Sequence, residues 1–410
     1  MGTTYYPVPA VALPAKGSSI ADPNFHTTIT RISDKTVDGY SGPGIQNEYA
    51  RTDPENSDGT HVILRGNDGT WYLYNTANNQ MIKQLNIEGG GEEPEPKWEA
   101  NNPKIFYYLF GTELRTYNID TDASTVIHDF KAEFPAASYI TTKVEGDASL
   151  DRRFWCFMVE NDADPRATLA VIVYDKTNNN IVGQKTSFPD SINWVSMDMS
   201  GQHAVVGYDA SDAQVFPRNL SSAKTLSVGA RGHMDFALTA DGRDVMVYQK
   251  TTVVDVIAMA ELDSVAETQL VTIPFDVNTD IGIHVSGNCS QTPGWALIST
   301  YGAQNPPTGQ AHSWMDTQLF MVELKANPRI WRIAHTHCYT FLNPPDPNDP
   351  DPNHPQTNYI AEAFAAINTR GTKIYFGSNW DTFTTYPILT EYTDAYQIVL
   401  PSNWSSQVPQ

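Results

Sequence analysis

The chain has 410 residues, of which 26 are basic and 47 acidic, so its formal net charge is −21. This acidity argues against nonspecific binding to nucleic acid or to an anionic membrane surface, because both need a basic protein surface. Aromatic residues make up 11% of the chain and accompany 27 prolines and 26 glycines, a composition typical of many short strands joined by turns.

The sequence contains no segment expected to insert into a membrane, because no run of 18 apolar residues occurs. The first residues, Met1–Pro7, lack the basic region and apolar stretch of a signal peptide. The low charge density and the many Asn, Thr and Ser residues nevertheless favour a secreted or periplasmic protein.

The three cysteines, Cys156, Cys289 and Cys338, are too few for a disulfide framework and include no Cys-x-x-Cys metal motif. Cys156 lies in the apolar run Phe154–Met158 and is predicted to be a buried free thiol. Cys289 and Cys338 either pair within one repeat or remain free, since the sequence does not give the distance between them.

The first predicted strand, His26–Ser33, alternates polar and apolar residues but has no hairpin partner next to it in the sequence. A unit of four strands follows it. The first strand of this unit is Asn47–Thr52, the turn is at Asp58-Gly59, and the remaining strands are 60–65, 70–74 and 81–85.

The same order of strands and turns returns six more times along the chain. The turns of these later units are Asn101-Asn-Pro103, Asp151-Arg152, Ser200-Gly201, Asp241-Gly242, Thr292-Pro-Gly294 and Arg370-Gly371. A spacing of about 40 to 50 residues is the period of four-stranded propeller blades. The sequence therefore predicts an all-β, seven-bladed β-propeller that forms a single domain over residues 1–410.

The seventh unit explains the isolated first strand. It contains strands at 363–367, 372–376 and 396–400, and so is one strand short. We expect the N-terminal strand, at about 26–33, to supply the missing strand, because this closes the ring and removes an exposed sheet edge.

A segment rich in proline and aspartate is inserted at 343–357, where its prolines exclude regular strand pairing. Its oxygen-bearing side chains, Asp346, Asn348, Asp349 and Asp351, allow either a solvated loop or a calcium site. Their spacing lacks the glycine and terminal glutamate of an EF-hand loop. A second insertion, Tyr301 to Asp316, is expected at the same rim.

Each unit begins with a leading segment that is expected to line the central channel, where propellers bind their ligands. The polar and aromatic residues of these segments, in blade order, are Gln46, Glu48 and Tyr49; Glu95 and Lys97; Lys143, Glu145 and Asp147; Asn193 and Trp194; Arg231, His233 and Asp235; His284 and Asn288; and Tyr359 and Glu362. Among them, Lys143, Trp194, Tyr49 and Glu145 are the predicted substrate-binding residues.

The repeated turns followed by apolar strands resemble the WD40-like propellers of the TolB type across nearly the whole chain. Within that group, Arg231-Gly-His233 and Gly282-Ile-His284 are placed at the start of blades in a way similar to oligogalacturonate lyase, a propeller that cleaves uronic acid oligosaccharides by β-elimination. The resemblance implies that His233 is the catalytic base and that Arg231 pairs with the substrate carboxylate.

The same resemblance implies a divalent cation, Ca²⁺ or Mn²⁺, with His284 as a metal ligand or a second charge partner of the substrate. The family has a His-Pro-His segment at the start of its last blade. This chain has Ile360-Ala-Glu-Ala-Phe364 there, which contains no histidine. A lone His284 falls short of the usual ligand set of a transition metal, unless Glu362 or the carboxylates of the 343–357 insertion contribute as further ligands.

Two further interpretations stay open. His335 and His337 place two imidazoles on one face of a strand, but this strand is the outer one of the sixth blade, which favours a rim or packing role. The alternative to a lyase is a noncatalytic extracellular propeller that binds a protein or glycan partner or another copy of itself, since this fold does not fix a function.

Overall fold

The computed structural model describes residues 2–40, 42–89, 94–163, 165–226, 230–251, 254–274, 281–302, 312–340, 359–381 and 393–409. Within these ranges the chain forms seven antiparallel sheets. The sheets are the blades of a ring, and the predicted seven-bladed β-propeller is confirmed.

Blades 1 to 3 each contain four strands. These are β3 (Ile45–Gln46), β4 (His61–Gly66), β5 (Trp71–Asn75) and β6 (Gln80–Gln84); β7 (Lys97–Trp98), β8 (Ile105–Phe110), β9 (Glu113–Asn118) and β10 (Ala123–Asp129); and β11 (Tyr139–Thr141), β12 (Phe154–Glu160), β13 (Thr168–Asp175) and β14 (Asn180–Lys185). In each blade, strands that follow one another in the sequence are neighbours in the sheet.

Blades 4 to 6 repeat this order. Their strands are β15 (Ile192–Met197), β16 (His203–Tyr208), β17 (Gln214–Pro217) and β18 (Lys224–Thr225); β19 (Ala230–Leu238), β20 (Asp244–Lys250), β21 (Val256–Glu261) and β22 (Glu267–Thr272); and β23 (Ile281–Ser286), β24 (Trp295–Gly302), β25 (Gln318–Glu323) and β26 (Ile330–His335).

Blade 7 joins the two ends of the chain. Its strands are β1 (Ser19–Ala21), β2 (Thr28–Arg31), β27 (Ala366–Ile367), β28 (Lys373–Ser378) and β29 (Asp394–Val399), and the helices outside the sheets are α1 (Lys35–Asp38), a 3₁₀ turn (Tyr359–Ala361) and α2 (Trp404–Gln407). The predicted closure is confirmed, because β2 pairs with β29 through Ile29 and Ile398. The structure adds β1 as a fifth strand outside β2, in a segment for which we predicted no strand.

The first hairpin of a blade turns where the sequence predicts. Gly59, Gly201, Gly242, Gly294 and Gly371 have φ angles of 74°, 71°, 84°, 91° and 69°. These are left-handed conformations that glycine adopts without steric cost. In the third blade Arg152 takes the same place with a φ of 57°.

The hydrophobic core is divided among the blade interfaces. The described residues form seven clusters of buried apolar side chains, each built from two adjacent blades. Between blades 4 and 5, for example, Val205 packs with Phe236 and Val256. Because each sheet buries both faces in this way, the inner segments are held in fixed positions around the channel.

All three cysteines are free and buried. The prediction for Cys156 is confirmed, and Cys289 and Cys338 do not pair. No helix in the described ranges is long and apolar enough to cross a membrane. The insertion at 343–357 lies outside the described residues, as does much of the second insertion.

Candidate functional site

Two histidines and a glutamate from three consecutive blades meet at the mouth of the channel. His233 comes from β19 of blade 5, His284 from β23 of blade 6, and Glu362 directly follows the 3₁₀ turn that leads into blade 7. His284 and Glu362 are 1% and 4% exposed, whereas His233 is partly accessible. The three residues were predicted from separate leading segments, and the structure brings them into contact.

A bulge in blade 5 directs His233 into this group. The register between β19 and β20 shifts between the pairs Ala230 with Lys250 and Met234 with Tyr248, so two extra residues lie on β19. His233, within the bulge, has a φ of 47°. Bulges and left-handed non-glycine residues concentrate at functional sites, where they change the direction of a side chain.

His284 is the centre of the contacts. Its Nε2 lies 2.6 Å from Oε2 of Glu362, and its Nδ1 lies 3.4 Å from Nδ1 of His233. Its ring stacks on Tyr301 with a centroid distance of 4.9 Å and an interplanar angle of 27°. The ring centroid of Phe364 lies 4.6 Å from that of His284.

Tyr301 reaches His284 across a glycine. Gly282 on β23 pairs directly with Tyr301 on β24, and a Cβ at Gly282 would lie 2.1 Å from the Tyr301 ring. The absence of a side chain at Gly282 therefore lets the phenol ring lie over the strand. The Tyr301 hydroxyl then comes within 3.4 Å of Nε2 of His233.

Burial determines the protonation of the cluster. Burial, followed by the neighbouring His284 and Arg51, lowers the pKa of His233 to about 3. Burial and the charge of Arg51 also lower the pKa of His284, to about 3. Burial raises the pKa of Glu362 to about 9. At neutral pH both histidines are uncharged and the carboxyl holds a proton.

This protonation gives a testable pH dependence of stability. Between the ordinary glutamate pKa of about 4.3 and the folded value, the folded protein holds one proton more than the unfolded chain, so stability falls as pH rises. We expect the free energy of unfolding to fall by up to about 1 kcal/mol per pH unit between pH of about 7 and 9. The histidines do not oppose this change there, because their effect lies below about pH 6.5.

The variant Glu362→Gln should lose this alkaline dependence, because its amide is neutral at every pH. Urea unfolding at pH values of about 7 and 9 measures how the free energy of unfolding depends on pH. Glu133→Gln changes an exposed carboxylate and is the matched control, which should keep the wild-type dependence. If the free energy of unfolding fell equally with pH in the wild type and in Glu362→Gln, the raised pKa of Glu362 would be contradicted.

A cavity of about 260 Å³ opens beside the cluster. Its lining includes Tyr49, Lys143 and Glu145, three of the four predicted substrate-binding residues, together with Tyr359 and Phe364. Lys143 and Val144 have φ angles of 62° and 64°, an unusual conformation for a β-branched residue such as Val144. Strained backbone of this kind is held by the surrounding fold and concentrates at ligand sites.

The other predicted residues lie elsewhere. Trp194 is fully buried and has no exposed ring face for a sugar. It contacts Phe236 and lies over Gly207, where a Cβ would come within 2.2 Å of its ring. Arg231 lies in the backbone of β19, but its side chain is outside the described part. The catalytic role of Arg231 and the substrate-binding role of Trp194 stay predictions.

Arg51 is the residue of this site that the sequence analysis missed. Its side chain is 2% exposed, its Nη1 donates a 2.9 Å hydrogen bond to the backbone oxygen of Glu145, and its charge acts on both histidines. Arg51 lies two residues after Tyr49 in a turn that follows β3, so the alternation of a strand does not indicate where its side chain points.

The donor atoms do not fit a resident divalent metal. Glu362 is already engaged with one of the histidines, because its Oε2 lies 2.6 Å from Nε2 of His284. No group of three or more His, Cys, Asp or Glu side chains in the described ranges has the geometry of a metal site. Protein metal centres usually need at least three such ligands, and the buried cation of Arg51, whose charge lowers the pKa of both histidines, disfavours a second cation here.

The second histidine pair lies in packed surroundings. His335 and His337 are both fully buried. His335 contacts Asp22 of the N-terminal segment, and His337 contacts Asp381 and stacks on Trp380 at 4.2 Å. These contacts agree with the packing role that the sequence favoured.

Comparisons with known proteins show the fold of this chain and nothing more specific. No protein-family model and no curated protein matches the sequence. Solved structures do match: oligogalacturonate lyase in complex with manganese has 14% identity, a TM-score of 0.61, and coverage of 95% of this chain and 100% of that one. The Vibrio parahaemolyticus oligogalacturonate lyase has 14% identity, a TM-score of 0.63, and coverage of 94% and 99%. The WD40 repeats of RRP9 have 9% identity, a TM-score of 0.51, and coverage of 94% and 100%.

Proposed function

We propose that this propeller is a carbohydrate-active protein that cleaves saccharides containing uronic acids by β-elimination. The observation that carries the proposal is the contact of His233 and His284 beside a cavity lined by Tyr49, Lys143 and Glu145. A neutral imidazole can accept a proton, and aromatic and charged side chains are suited to hold an anionic sugar.

His233 is the proposed base, as the resemblance implied. In β-elimination the base removes the proton on the carbon next to the carboxylate, the electron pair of that C–H bond forms a carbon–carbon double bond, and the bond to the glycosidic oxygen breaks. We assign the Tyr301 hydroxyl, 3.4 Å from Nε2 of His233, as the group that gives a proton to the leaving oxygen. Both proton transfers use groups of this chain.

The low pKa of His233 makes the base responsive to its substrate. Burial and the Arg51 charge disfavour the imidazolium, whereas a bound carboxylate nearby favours it, since opposite charges stabilise each other. We therefore expect the imidazole to become a stronger base when a uronate enters the cavity. A neutral sugar gives no such increase.

The test is to incubate the protein with a panel of uronic acid polysaccharides and oligosaccharides and to follow the ultraviolet absorbance of the new double bond. Parallel reactions contain EDTA, Ca²⁺ or Mn²⁺. Release of unsaturated products supports the lyase. Binding of the same saccharides without any new double bond contradicts it and favours the noncatalytic, glycan-binding alternative.

A further inference from the structure

The Arg51 guanidinium, which is buried against the cavity residues Tyr49 and Glu145, is only partly satisfied by hydrogen bonds. Nη1 of Arg51 lies 3.1 Å from Oε2 of Glu145 as well as contacting its backbone oxygen. Nη2 of Arg51 is buried and has no hydrogen-bond acceptor among the described residues. A buried donor at a charged group without an acceptor is costly, so an acceptor supplied by a ligand would relieve that cost.

The surroundings hold the cation in place without neutralising it further. The guanidinium carbon lies 5.5 Å from the Tyr49 ring centroid and 5.8 Å from that of Trp194, both within the range of cation–π attraction. Asp235, another acidic group that the Arg51 charge influences, accepts from the backbone N–H groups of Phe236 and Gly287 instead.

The same cation opposes metal binding by the histidines. A positive charge close to two neutral imidazoles repels a second cation, and this repulsion is strong in a buried site of low effective dielectric. Mn²⁺ and Ca²⁺ favour carboxylate and other oxygen ligands, but Glu362 is directed to His284 and Glu145 to Arg51.

We propose that Arg51 is the permanent cation of this site, and that its guanidinium binds the carboxylate of an anionic sugar in place of a divalent metal. Guanidinium groups bind carboxylates through two parallel N–H bonds, which adds orientation to charge. This inference rests on the proposed function only in assigning the carboxylate to a uronic acid. It implies that binding and elimination proceed in EDTA.

The test uses calorimetric titration of full-length His233→Ala, which binds without turnover, with digalacturonate as the probe. We expect equal affinity with and without EDTA, at least tenfold weaker binding in His233→Ala/Arg51→Met, partial recovery with Arg51→Lys, and weak binding of the corresponding neutral disaccharide. Mn²⁺ titrated into EDTA-stripped wild type should give no binding that depends on His284.

Three results would overturn the inference: Mn²⁺ binding that is lost in His284→Ala, digalacturonate binding that requires Mn²⁺, or no digalacturonate binding in EDTA. Failure of the proposed function looks different. If Arg51-dependent binding occurs but wild type releases no unsaturated product, the lyase assignment fails and the carboxylate site stands. If elimination occurs only with Mn²⁺, the lyase stands and the Arg51 assignment fails.

Glu145→Gln keeps Arg51 and is expected to strengthen digalacturonate binding, whereas Arg51→Met is expected to weaken it. The Glu145 carboxylate competes with a ligand for Nη1 of Arg51, whereas glutamine keeps the size and the backbone oxygen contact but not the charge. We expect digalacturonate to bind about threefold or more tightly to His233→Ala/Glu145→Gln than to His233→Ala. Weaker binding would show that Glu145 holds the sugar itself and would count against Arg51 as the receptor. The variant remains informative if Arg51→Met does not fold.

Discussion

His233→Ala is expected to lower kcat for uronate elimination by about 10²-fold to 10⁴-fold, the usual contribution of a positioned general base. The bulge of β19 brings this partly accessible imidazole against the buried His284, whose ring contacts the cavity residues Tyr49 and Phe364. KM should change little, because the base acts on the proton in the transition state and not on the bound sugar. Initial rates from the ultraviolet absorbance of the product measure both constants.

His128→Ala is the matched control, because it removes a hydrogen-bonded histidine from β10, an outer strand of blade 2. Its rates should equal those of the wild type. Unchanged elimination by a folded His233→Ala protein, checked by circular dichroism, would remove His233 as the base. A fall in affinity without a fall in kcat would make it a binding residue.

The blade pattern could be predicted because it depends on local chemistry. A hairpin turn needs a residue in the left-handed conformation, and local pairs such as Asp241-Gly242 and Arg370-Gly371 predict the turn without reference to the rest of the chain. The position of the strand at His26–Ser33 could be predicted because the seventh unit was one strand short and this strand had no partner next to it in the sequence. The strand β1 has only three residues, Ser19–Ala21, and three residues are too few to show an alternating pattern.

The site could be predicted only in part, because its contacts depend on the geometry of the ring. The leading segments indicated His233, His284 and Glu362 as candidates. That His284 and Glu362 form a 2.6 Å contact across 78 residues depends on the angle between blades 6 and 7, which no local pattern encodes. Arg51 could not be recognised for a related reason, because it lies in a turn after β3 and its contact with Glu145 of blade 3 is set by the geometry of the ring.

The ring closure predicts a second large effect, which concerns stability. Asp22 follows β1 and is fully buried with His335 of β26. One carboxylate oxygen accepts from the backbone N–H of His335 at 2.8 Å and lies 2.9 Å from its Nδ1. The other oxygen accepts from the backbone N–H groups of Asn24 and Phe25. A single side chain thus fixes the turn between β1 and β2 and fastens blade 7 to blade 6.

Asp22→Ala is expected to lower the free energy of unfolding by about 3–5 kcal/mol, the usual cost of removing one partner of a buried pair. Although burial alone raises it, hydrogen bonds from His335 lower the pKa of Asp22 below its ordinary value. The stabilisation is therefore present above the unfolded pKa of about 3.9 and is lost as pH falls through the lower folded value. Urea unfolding at neutral pH measures the difference.

Glu133→Ala is the control, because it removes the acidic partner of His128 in a pair whose Nε2 to Oε1 distance is 3.1 Å and whose glutamate is 38% exposed. Exposed pairs contribute about 0–1 kcal/mol, so this variant should unfold nearly as the wild type does. If Asp22→Ala were equally mild, β1 and β2 would hold blade 7 through strand pairing alone. The large loss expected for Asp22→Ala reflects a contact that strand pairing does not make: β2 pairs with β1 and β29 of its own blade, whereas Asp22 reaches His335 of the neighbouring blade.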